Sequence, residues 1–137
     1  MTILAHKRLH LFGNIAENDI VLLTKLGKDI ESCWRQIPQH FPSAELDVFV
    51  IMPNHLHGIL VLNDQVEHTT SLSVVINMFK GAVTRLARSG AECAEQDSPI
   101  WHRGFHDHII RSEDEYNHIA RYVVTNPQRW NADSLNT

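Results

Sequence analysis

Val48-Phe49-Val50-Ile51-Met52-Pro53-Asn54-His55-Leu56-His57-Gly58-Ile59-Leu60-Val61-Leu62 is the stretch on which the fold turns. Two apolar runs are parted by a short connection around Met52-Pro53-Asn54, the pattern of an antiparallel strand pair. Alternate side chains along a strand leave opposite faces. His55 and His57 therefore project together from one face, and Leu56 points into the opposite layer. Two neighbouring imidazoles on a rigid strand are a start on a divalent-metal site. The plainer alternative is a pair of semi-polar residues on the solvated face of a half-buried strand.

Outward from this pair the chain reads as alternating strands and helices. Residues 1–6 form a short strand. Leu26, Ile30, Cys33, Trp34 and Ile37 recur at helical spacing from Thr24 to His40, with Pro38 and Pro42 marking the end. Ser71 or Ser73 caps a second helix that runs to about Arg88, and Ser89–Ser98 is a polar loop. Phe105–Arg111, with Ile109-Ile110, reads as a further strand. Ser112 then caps a last helix whose first turn holds Glu113, Asp114 and Glu115, and which stops before Asn126-Pro127. The expected fold class is α+β, a ferredoxin-like antiparallel sheet with helices packed mainly on one face and the last helix at the C-terminus. One domain over residues 1–137 is expected, with its first strand shortened.

Composition narrows the function less than the motif does. The formal net charge is −4, unlike the basic footprint that phosphate binding favours. Lys80, Arg85 and Arg88 nevertheless lie in a stretch without acids. No apolar run approaches the ~20 residues of a membrane span, and Met1–Arg8 lacks the layout of a signal peptide. Cys33 and Cys93 stand apart like reduced thiols. The expectation is a cytoplasmic protein without a membrane partner.

In the last helix Tyr122 and Asn126 are four residues apart and share a face. A phenol can be a nucleophile, and an amide oxygen is a hard cation ligand. Packing at a helix end explains both residues equally well, and Tyr116 is a competing phenol.

Together these residues resemble the HUH family of single-tyrosine transposases, which includes insertion-sequence enzymes and relatives associated with repetitive extragenic palindromes (REP). The likeness rests on Met52-Pro53-Asn54-His55-Leu56-His57-Gly58 and on Tyr122-Val123-Val124-Thr125-Asn126-Pro127 downstream. Leu11-Phe12-Gly13, Cys33-Trp34 through Phe41-Pro42, Phe79-Lys80 and Trp101–Arg111 fall in the family's order. The resemblance implies that His55, His57 and Asn126 hold one divalent cation, Mg²⁺ or Mn²⁺. Tyr122 would attack a single-stranded or hairpin DNA phosphodiester, giving a 5′-phosphotyrosine. Lys80, Arg85, Arg103 and Arg111 are candidate phosphate contacts, whereas Trp101 and Phe105 read as core. Such proteins associate with the nucleoid and act as monomers or as homodimers that exchange the tyrosine helix. A DNA-binding relative without cleavage, a metal-dependent hydrolase of other substrates that does not use Tyr122, and a purely structural module are the competing readings.

Overall fold

A computed structural model of the chain describes residues 1–63, 71–89 and 99–132. Cys93 and most of the expected 89–98 loop lie outside them. Among these residues five strands, β1 (Thr2–Leu4), β2 (Gly13–Ile15), β3 (Val21–Leu23), β4 (Ala44–Met52) and β5 (His55–Leu62), accompany four α-helices. The helices are α1 (Lys25–Arg35), α2 (Ile37–His40), α3 (Leu72–Arg88) and α4 (Glu113–Thr125). The long hairpin β4–β5 is the centre of the molecule. With β1 it forms an antiparallel sheet in the order β1-β5-β4, and β2 and β3 make a separate small hairpin. No helix among the described residues is long and apolar enough to cross a membrane.

Capping explains where the helices begin. The Thr24 hydroxyl accepts from the Gly27 N–H, Ser71 from Val74 and Ser112 from Glu115. The first predicted helix is broken at Gln36, and α2 restarts with Pro38 in its first turn, where a proline costs no hydrogen bond. Ile30 and Trp34 of α1 meet Ile76, Phe79 and Val83 of α3 over Ile3, Ile51 and Leu56 of the sheet. The Trp34 and Phe79 rings pack edge to face at 5.2 Å. Removing a residue such as Leu56 from water contributes about 1.5–3 kcal/mol.

Most helices thus cover the Leu56 face, while α4 lies against the other. That second layer explains why Val48–Met52 is apolar on successive residues, as a strand covered on both faces requires. Gly58 permits the tight hairpin: a Cβ there would stand 2.8 Å from the Phe49 Cβ. A bulge between Leu46 and Phe49 shifts the register and turns Asp47 toward α4, where its carboxylate accepts from the Tyr116 hydroxyl.

One expected element is absent. Phe105–Arg111 forms no strand. The chain instead meets β1 through isolated bridges, Thr2 with His106 and Ala5 with Trp101. The two bridges differ in register by two residues, across Gly104 with its positive φ of 78°, so no continuous ladder forms on this edge of β1, and Ile109 is left exposed. Trp101 packs on Phe12 and Phe79 at 5.4 and 5.7 Å, as expected of a core residue.

Candidate active site

The imidazoles of His55 and His57 leave the α4 face of β5, on the opposite side from Leu56. The register fixes this: His55 pairs with Met52 and Leu4, and His57 with Val50 and Thr2. His55 is buried, and its Nδ1 lies 2.8 Å from the side-chain oxygen of Asn54. The Asn54 amide nitrogen donates to the Arg8 carbonyl. That leaves its oxygen to accept from His55, so Nδ1 carries the proton and Nε2 the lone pair. Asn126, also buried, brings its amide nitrogen to 3.4 Å from that Nε2. The Nδ1 of His57 lies 3.2 Å from the Thr2 hydroxyl.

Tyr122 borders the pair from α4. Its ring centroid is 5.6 Å from that of His57, and the residue is 38% exposed, so the phenol stands at a rim that solvent reaches. Both groups belong to one chain. Tyr116 is directed elsewhere. Its hydroxyl donates to both Asp47 carboxylate oxygens at 2.9 Å. That bond, then desolvation and the carboxylate's charge, raise the phenol above its ordinary range.

The fold has parallels among known proteins. No family model matches the chain. An uncharacterised protein of Haemophilus influenzae is 35% identical, the match covering 98% of this chain and 82% of that protein. A second Haemophilus influenzae protein, bearing the name REP-associated tyrosine transposase, is 26% identical over 77% of this chain and 61% of its own. The structure of a REP-associated tyrosine transposase bound to a REP hairpin superposes with a TM-score of 0.66 at 22% identity, covering 93% of this chain and 64% of that one. A Deinococcus radiodurans protein described as a transposase gives 0.56 at 19% identity, over 92% and 87% of the two chains.

The chain has the fold of these two transposase structures.

It spans less than two thirds of the length of the named transposase and of the hairpin-bound one. Of the residues that the resemblance singles out, the fold brings His55, His57, Tyr122 and Asn126 together. The four basic candidates are dispersed. Lys80 and Arg85 ride on α3, in the layer opposite α4. The Lys80 ammonium donates to the carbonyls of His102 at 3.2 Å and Gly104 at 2.6 Å, so two of its three donors tie the 102–104 segment to α3. Burial lowers its pKa. Arg103 and Arg111 are exposed, the latter directly before the α4 cap.

Three further residues complete the surroundings of the candidate site. Asn54 orients His55. Trp130, nearly buried, stacks on the His55 ring at 6.3 Å, and Arg129 covers the Tyr122 ring with its guanidinium carbon 4.0 Å from the centroid. Both follow α4 in a turn of 3₁₀ type over Asn126–Ala132. Pro127 is the one signal for them in the sequence: a chain that cannot continue an α-helix must turn there, and the turn falls beside the histidines.

Proposed function

We propose that this chain is a single-strand DNA endonuclease and strand transferase, with Tyr122 as nucleophile and His55, His57 and Asn126 as holders of a divalent cation. The observation that carries the reading is the meeting of two separate motifs in one chain: Tyr122 against His57, and Asn126 against His55. Each motif supplies what the other's chemistry lacks.

The donors suit such a cation. Two Nε2 atoms and the Asn126 amide oxygen, once that amide turns over from the orientation that sets its nitrogen against His55, would leave several coordination positions to water and phosphate oxygens. Imidazole matches Mn²⁺ better than Mg²⁺, which favours all-oxygen surroundings. When bound, the cation would polarise a phosphate oxygen and offset charge developing on phosphorus. Asn54 keeps the His55 proton on Nδ1, and Thr2 bonds the corresponding nitrogen of His57. Tyr122 Oη forms a bond to phosphorus as the P–O3′ bond breaks. The phenol's proton ends on the released 3′-oxygen. One phosphodiester replaces another, so a second 3′-hydroxyl can reverse the step without an energy source. Tyr116 suits the role poorly, because its bond to Asp47 disfavours the phenolate.

The substrate class is single-stranded or hairpin DNA, in keeping with the hairpin bound by the structural neighbour. The test is a labelled hairpin oligonucleotide incubated with the protein and Mn²⁺ and run on a denaturing gel. A covalent adduct is expected with the parent protein and none with Tyr122→Phe. Cleavage that continues in Tyr122→Phe would overturn the assignment in favour of a metal-dependent hydrolase.

A further inference from the structure

The turn that follows α4 places a cation on the candidate nucleophile. At the helix end the Asn126 N–H bonds to the Val123 carbonyl. Arg129 then reaches back, donating from Nη2 to the Tyr122 carbonyl at 2.9 Å. The same guanidinium lies over the Tyr122 ring, 4.0 Å from its centroid. His57 approaches the ring as well, at 5.6 Å between centroids. Arg129 is thus bonded to the backbone of Tyr122 and stacked on its side chain, at a kink in the turn where its own backbone leaves helical geometry (φ −108°, ψ 15°).

The second observation is electrostatic. Arg129 is exposed, and among the described residues no carboxylate pairs with it. A surface arginine held against a tyrosine, with no carboxylate partner among the described residues, keeps its charge open to an anionic ligand. Guanidinium carries five N–H donors in a planar fork, a match for two phosphate oxygens. Among the described residues Nη2 bonds to the Tyr122 carbonyl, and the guanidinium stands beside a phenol that is exposed at a rim, within reach of a ligand there.

We propose that Arg129 positions Tyr122 and contacts the phosphate that Tyr122 attacks. This rests on Tyr122 being the nucleophile. In the resting protein the guanidinium confines the ring beside His57. During attack its N–H groups meet the non-bridging oxygens, where negative charge accumulates. In the adduct that phosphate is attached to Tyr122 itself, so the clamp keeps the charged product beside Arg129.

The test has two readouts. The chain holds two tyrosines, so ring-¹³C-tyrosine protein gives two sets of ring signals, assigned with Tyr116→Phe. Arg129→Gln is expected to shift the Tyr122 signals and leave those of Tyr116 in place, which also shows that the variant is folded. Under single-turnover conditions with the hairpin oligonucleotide and Mn²⁺, Arg129→Gln should slow adduct formation about 100-fold, the scale for removing a donor to a developing oxyanion. Hairpin affinity should change only slightly. Arg129→Lys should recover part of the rate, because it keeps the charge, but not the ring signals, because it lacks the planar fork. Unaltered Tyr122 signals in Arg129→Gln would overturn the clamp. An unaltered rate, or a loss confined to affinity, would overturn the contact to the reacting phosphate. The controls in the same gel separate this from the underlying reading: absence of an adduct with the parent protein, or its persistence in Tyr122→Phe, removes the nucleophile and the inference together.

Discussion

Tyr116 and Tyr122 stand six residues apart on α4 and face different chemistry. At ~100° per residue the two phenols leave the helix roughly 240° apart, so one helix cannot aim both at the histidines. Tyr116 spends its hydroxyl on Asp47, whereas Tyr122 lies beside His57. Tyr116→Phe should therefore leave adduct formation intact. Its effect belongs to stability and depends on pH. The folded phenol holds its proton more tightly than the unfolded one, so the bond's contribution is full below the ordinary phenol value of 10.0. It is lost as pH rises through the elevated folded value. Denaturant midpoints should show the parent protein ahead of Tyr116→Phe at neutral pH, with the gap closing in strong alkali. A gap that widened with alkali would contradict the Tyr116–Asp47 bond. At this scale the His pair was legible from a period of two. Asn54, Arg129 and Trp130 were not, because their roles depend on which residue they meet after the chain turns back.

Among the elements, the β4–β5 hairpin carries the site, and its close approach at Gly58 is the sensitive point. A methyl group there meets the Phe49 Cβ at 2.8 Å and the Val48 carbonyl oxygen at 3.3 Å. Neither backbone nor Cβ can swing away as a side-chain tip can. Gly58→Ala should destabilise the protein by roughly 1–3 kcal/mol, the range for overpacking a filled core. Chemical denaturation reads this directly, and an unchanged midpoint would refute the steric account. The Phe105–Arg111 expectation failed at the same scale. Apolar residues in a row suggest a strand, but a ladder needs one unbroken register. The backbone turns at Gly104 (φ 78°), and bonds such as Thr2 to His106 and His102 to Leu4 fall in different registers and give bridges only.

In the whole molecule, α4 covers the face of the sheet that bears the histidines, so one chain holds Tyr122 and the His pair together. This predicts the result of a mixing experiment. Tyr122→Phe combined with the His55→Ala, His57→Ala double variant should yield no adduct, since neither chain has a complete site. Recovery of the adduct in the mixture would mean that the tyrosine helix is exchanged between two chains. The sequence by itself determined the strand pair, the Ser112 cap of the last helix, the common face of His55 and His57 and the spacing of Tyr122 and Asn126. All of these follow from periodicity and from local hydrogen bonding within a few residues. Only the tertiary structure decided which face α4 covers, which of two phenols meets the histidines, that Lys80 ties down a loop, and that Arg129 covers Tyr122. Those outcomes depend on packing between segments far apart in the chain, where burial and hydrogen-bond partners are set by the other layer and not by neighbours in sequence.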